Sequence, residues 1–206
     1  MKIHFYLHTV PGLKKGRCTV MKKIILLMVI VALSGCMGSV KSGSDTRLDT
    51  PLVIRDFNDV SDDYAARPTF VSVVERHQSG KMLSIKVDLF GADSHLYIPE
   101  EAVPSLLPMV DKYLEWEAMA SERGDQLDKE IGSVSGWGAF KLKLHFFSGN
   151  VDRHYLVIRQ CAFTCMGAES EDAFYFDRKG AEDLRRLLVQ LGDGSLQTLN
   201  TDEVYQ

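Results

Sequence analysis

Residues 70–90 read FVSVVERHQSGKMLSIKVDLF. Apolar and polar side chains alternate through Phe70 to His77 and again through Met82 to Phe90, the period-two pattern of strands with one buried face. Gln78-Ser79-Gly80-Lys81 between them is turn chemistry, so the stretch predicts an antiparallel hairpin. A hairpin alone is marginal in water and needs a third strand or a helix against its apolar face.

The residues that follow supply both. Gly91-Ala92-Asp93-Ser94 turns the chain into a short strand, His95 to Ile98. Pro99-Glu100-Glu101 then opens a helix whose apolar positions Val103, Leu106, Leu107, Val110, Tyr113 and Leu114 recur at helical spacing up to about Arg123, before Gly124. Pro104 is tolerable in the first turns, whereas Pro108 predicts a kink or a late start. Residues 126–138, with Gly132, Gly136 and Gly138, read as a loop. The same order then returns: strand Phe140 to Phe147, turn Ser148-Gly149-Asn150, strand His154 to Cys161, short strand Ala173 to Phe176. Asp177 caps a second helix with Ala181, Leu184, Leu187, Leu188 and Leu191 on one face and Gly192 ending it.

The expected class is therefore α+β, antiparallel sheet with two main helices, in one domain over 69–195 that divides into hairpin-strand-helix halves at 69–125 and 139–192. A shift of 78 residues superposes Tyr97 on Tyr175, Val103 on Ala181 and Leu106 on Leu184. Residues 196–206 read as a loose tail. The order resembles, in topology alone, the repeats of Whirly-type single-strand nucleic acid binders, but no basic sheet motif accompanies it.

Ahead of the domain, MKKIILLMVIVALSGC at 21–36 joins two lysines to a ten-residue apolar run, Ile24 to Leu33, and then Leu33-Ser34-Gly35-Cys36. That run is shorter than the roughly 20 residues needed to span a bilayer and fits a removable export signal. The stretch resembles the type II signal peptide and lipobox of bacterial lipoproteins. The resemblance implies cleavage before Cys36, diacylglycerol on its thiol and, with Met37 in second place, sorting to the inner leaflet of the outer membrane, facing the periplasm. Residues 1–20 fit poorly before a signal and read as a mis-assigned start extension, with Met21 as the start. Residues 36–68, rich in Ser, Gly, Asp and Thr, read as the lipidated N-terminus and a flexible tether whose second half contributes an edge strand.

Removing residues 1–35 takes away six basic residues and no acidic one, so the balance of Lys plus Arg against Asp plus Glu moves from 24 against 28 to 18 against 28, a formal −10. Such a chain repels phosphates, and no nucleic acid partner is expected. Of the remaining cysteines, Cys161 and Cys165 read as a disulfide across Ala162-Phe163-Thr164 in an oxidising compartment. Their C-x3-C spacing departs from a redox C-x-x-C and from familiar zinc patterns.

Other candidate sites are weaker. His145 and His154 could meet across the Ser148-Gly149-Asn150 turn, but neither a carboxylate nor a thiol stands at supporting spacing. Trp137 in its Gly/Ser loop and Tyr113 and Trp116 on the first helix read as packing aromatics. Glu115, Glu117, Glu122 and Asp125, and likewise Asp59, Asp62 and Asp63, read as solvated acidic surface without the ligand alternation of a calcium loop. No serine lies in G-x-S-x-G or S-x-x-K. The expectation is a non-enzymatic, lipid-anchored binding or accessory module for another envelope protein, with no metal, no cofactor and no catalytic residue. The alternatives are a thiol-redox factor or enzyme using Cys161 and Cys165, and a small-ligand sensor with a pocket between the halves.

Overall fold

The computed structural model describes residues 44–76, 80–89, 92–162 and 172–196, within a compact unit spanning 42–206. The 70–90 segment forms the expected hairpin from β4 (Thr69–Arg76) and β5 (Gly80–Leu89), in register from Thr69↔Val87 to Arg76↔Gly80. β6 (Ala92–Pro99) pairs antiparallel with β5, and β1 (Ser44–Arg47) pairs with β4, giving a four-stranded sheet in the order β1-β4-β5-β6. Val71, Leu83, Ile85, Val87, Leu96 and Ile98 alternate onto the face that joins the core.

A 3-10 turn (Glu100–Ala102) leads into α1 (Val103–Arg123). Pro104 stands at the helix start, and Pro108 is carried inside without ending it. The helix stops at Gly124, whose φ of +67° is the left-handed conformation glycine adopts without a Cβ penalty.

The second sheet has six strands in the order β3 (Asp63–Arg67), β2 (Ile54–Asn58), β10 (Asp172–Phe176), β9 (Arg153–Ala162), β8 (Phe140–Asn150) and β7 (Asp128–Ser135). β8 and β9 are the second hairpin, and β10 leads into α2 (Arg178–Asp193). The element order hairpin, strand, helix thus occurs twice. Asp111 pairs with Arg185 and Glu117 with Arg178, so residue numbers rise on α1 as they fall on α2: the helices pack antiparallel. Both bury their apolar stripes in one core with Leu142, Leu144, Phe146, Leu156, Ile158, Phe174 and Phe176.

Three local readings are corrected. Residues read as loop form β7 (Asp128–Ser135), an edge strand with a register break between Glu130 and Gly132. A Cβ at Gly132 would stand 2.9 Å from Met109 Cε, so this glycine permits close approach of the strand to α1. Residues assigned to the tether contain β1, β2 (Ile54–Asn58) and β3 (Asp63–Arg67). Gly192 does not end α2. It lies against Val103, with 3.2 Å from an added Cβ to Val103 Cγ1, and the helix stops at Gly194, where φ is +74°.

The β2–β3 hairpin fixes the functional geometry. β2 meets β10 at the pair Tyr175↔Arg55, and β3 lies three strands from β9, about 14 Å in a flat sheet. Yet the Tyr64 ring of β3 lies 4.6 Å from that of Tyr155 on β9 and 4.9 Å from Tyr175 on β10. The hairpin therefore curls over the outer face of the sheet, so Tyr155 and Val157 are buried on that face while Leu156 and Ile158 are buried on the other.

Candidate functional site

Where the curled hairpin, the start of β9 and the two helices converge, they enclose a cleft of about 440 Å³. Arg55 comes from β2, Asp63 from β3 and Glu117 from α1. Asp152-Arg153-His154 enters from the β8–β9 turn and Asp177-Arg178-Lys179 from the start of α2. Every member of these two Asp-Arg-basic tripeptides lines the cleft.

Three arginine–carboxylate pairs, each joining two elements, build the walls. Arg55 Nε donates to Asp177 Oδ2 at 2.7 Å, and its Nη1 donates to the Tyr64 carbonyl at 3.3 Å. Arg153 Nη1 donates to Asp63, and Arg178 Nη1 to Glu117. Asp177 also accepts from the Gly180 N–H at 2.7 Å, capping α2. The Arg153 hydrogen bond, with one from the Tyr64 N–H, holds the Asp63 carboxyl below its ordinary range. Glu117 correspondingly raises the Arg178 guanidinium.

His154 forms part of the lining and is itself only 4% exposed. Its Nδ1 stands 2.9 Å from Ser148 Oγ, which also accepts the Leu127 N–H at 3.1 Å, while its Nε2 is buried with no hydrogen-bond partner. If the serine donates to Nδ1, Nε2 carries an unpaired proton; if Nδ1 donates to the serine, Nε2 carries an unused lone pair. In either tautomer one polar atom remains unspent. The pair lacks the order of an activated nucleophile, since Ser148 meets the ring at Nδ1 and no carboxylate among the described residues orients Nε2. Beneath it the buried Tyr113 hydroxyl donates to the His154 carbonyl at 3.0 Å, and burial raises that phenol strongly.

The expected candidates fare differently. His145 and His154 do not meet: His154 pairs across the hairpin with Ser148, and His145 pairs with Val157. They stand nine positions apart on opposite faces of the sheet, and His145 Nδ1 lies 3.7 Å from exposed Asp128. Glu117 is not solvated surface, because the antiparallel helix packing buries it to 8% exposure between Arg178 and Ser121. Asp63 is likewise drawn into an ion pair. Trp137 rests on Tyr97 of β6 and under Arg76 of β4, spanning β5 where Met82 and Ser84 are buried. Trp116 packs edge-on to Phe146 with Lys112 and Lys129 over its ring. Cys161 is fully buried near the end of β9. Leu196, the first residue of the expected 196–206 tail, packs against the core, while Cys36, Cys165 and residues 197–206 lie outside the described residues. Among the described residues no three of His, Cys, Asp and Glu gather to hold a metal, and no helix is long and apolar enough to cross a membrane.

Arg55, Arg153, Arg178 and Asp177 were not singled out as binding residues from sequence; the two Asp-Arg-basic tripeptides were the available signal. No protein-family model matches the chain, and no curated protein matches it.

Proposed function

We propose that the protein is a lipid-anchored lipoprotein of the cell envelope, a non-enzymatic binding or accessory module for another envelope protein, held on the inner leaflet of the outer membrane and facing the periplasm. The observation that carries this reading is the sequence Leu33-Ser34-Gly35-Cys36 behind a basic, apolar signal, followed closely by folded chain from Ser44. Seven residues, 37–43, separate Cys36 from β1. Fully extended they span at most about 25 Å, so the domain works beside its membrane and does not search far from it. The formal −10 of residues 36–206 repels anionic headgroups and leaves the domain's surface free for a protein partner.

A disulfide between Cys161 and Cys165 belongs to the same reading as a local staple near the end of β9. In the thiol-redox alternative the fully buried Cys161 could serve only as the resolving sulfur, and the attack would fall to Cys165. Cross-linking intact cells, extracting the protein in mild detergent and identifying what co-purifies beyond a Cys36→Ala control tests the proposal. One stoichiometric envelope protein is the expected result; recovery of the chain alone contradicts an accessory role.

A further inference from the structure

The cleft between the β2–β3 hairpin, the start of β9 and the two helix ends differs in charge from the chain around it. Its lining carries four cationic side chains, Arg55, Arg153, Arg178 and Lys179, against four carboxylates, Asp63, Glu117, Asp152 and Asp177. In a chain of formal charge −10 over residues 36–206 this is a locally balanced site. Its volume of about 440 Å³ falls in the range of small-ligand sites, roughly 300–1,000 Å³.

The balance is not idle self-neutralisation. A guanidinium has five N–H donors. Arg153 spends donors on Asp63 and the Tyr155 hydroxyl, while Arg178 spends Nη1 on Glu117 and Nε on Glu182. Arg55 spends Nε and one Nη1 donor. Each retains donors in the planar fork that suits a carboxylate. On the acidic side, Asp152 enters no ion pair among the described residues, although it adjoins Arg153 in the same turn. His154, whose buried Nε2 has no hydrogen-bond partner, also lines the cleft. Each of the three arginines is closed on a carboxylate and Lys179 on Asp183, which leaves spare guanidinium N–H donors on one side and the unpaired Asp152 carboxylate on the other. A ligand carrying both signs satisfies both sets.

We infer that this cleft binds a small zwitterion, an amino acid or short peptide with a free amine and a free carboxylate. The carboxylate is received by the spare donors of the Arg153, Arg55 and Arg178 guanidiniums, and the ammonium by Asp152. This goes beyond the anchoring and accessory roles, which do not require a small ligand.

The test is a thermal-shift and calorimetric titration of the full mature protein in mild detergent with four probes: glycine, L-alanyl-L-alanine, N-acetyl-L-alanyl-L-alanine and L-alanyl-L-alanine amide. Saturable binding with a rise in melting temperature is expected for at least one of the two zwitterions, with each blocked dipeptide at least tenfold weaker than that zwitterion. Asp152→Asn and Arg153→Gln change exposed side chains and leave the core intact, and each is expected to weaken the zwitterion about tenfold or more. Asp152→Asn should also abolish discrimination against the N-acetyl form. No binding of either zwitterion overturns the inference, as does equal binding of all four probes, binding of the N-acetyl form as tight as the zwitterion, or indifference to both substitutions. None of these outcomes alters the co-purification result, so failure of the ligand site and failure of the accessory role are separable.

Discussion

The β4-β5-β6-α1 and β8-β9-β10-α2 halves share an order of elements but not an environment. In the first half, the outer sheet face is covered locally by Trp137, and Phe70 remains 39% exposed. In the second, the β2–β3 hairpin curls over the sheet and makes β9 a strand buried on both faces. The helix entrances differ too. α1 begins through a 3-10 turn without a side-chain cap, whereas α2 begins at Asp177, which caps the helix and pairs with Arg55. One plan therefore yields a plain packing unit and a unit with a charged cleft. The difference lies in an added hairpin and a few residues at element ends, where side chains can change without disturbing the core.

The sharpest break between the halves is expected from paired aromatic truncations. Tyr155 is buried on the outer face of the second half against Tyr64 and Phe147, so Tyr155→Ala should cost about 3 kcal/mol in urea unfolding, whereas Phe70→Ala on the outer face of the first should cost less than about 1 kcal/mol. Similar losses at both positions would remove the packing contrast. The helix entrances come next: Asp177→Ala should cost about 1–2 kcal/mol through the lost cap, and Glu100→Ala at the other entrance no more than about 0.5 kcal/mol. Tyr113→Phe removes a buried hydroxyl shared between α1 and β9 and should cost about 1 kcal/mol by the same assay.

The smallest effect is on the acid limb of stability. Asp63 titrates lower in the folded state, so its pairing with Arg153 stabilises the protein above the unfolded carboxyl value of about 4 and is lost as pH falls through the lower folded value. Arg153→Gln should make the acid limb shallower, and the wild-type and mutant stabilities should converge between pH 5 and pH 2. A constant offset across that interval would show that the pair does not act through this ionisation. At the alkaline end the sign is opposite in pH. Burial raises Tyr64 and Tyr155, so stability should fall as pH rises above about 10, less steeply in a Tyr64→Phe, Tyr155→Phe double variant.

Much of this fold is legible in alternation and helical spacing, because both hairpins and both helices bury one regular face. The α+β class and the twofold order of elements followed from that. β7 was not legible: its run DKEIGSVS looks like loop, yet Gly132 is there for the approach of Met109. β1, β2 and β3 are short strands among polar residues, and tertiary pairing defines them more than composition does. Gly192 misled because a glycine near a helix end reads as a stop, although here it makes room for Val103 from the other helix. The cleft was hidden for a different reason. Arg55 and Asp177 are separated by 122 positions and meet only once β2 reaches β10. Charge at one sequence position does not reveal its partner.

The anchoring proposal stands on Cys36, and the intact mass of the membrane-extracted protein, taken with and without reductant, tests it most directly. A chain beginning at Cys36 with acyl mass attached, gaining two hydrogens on reduction, is the predicted result. A chain that begins upstream of Cys36 and carries no acyl group would contradict it.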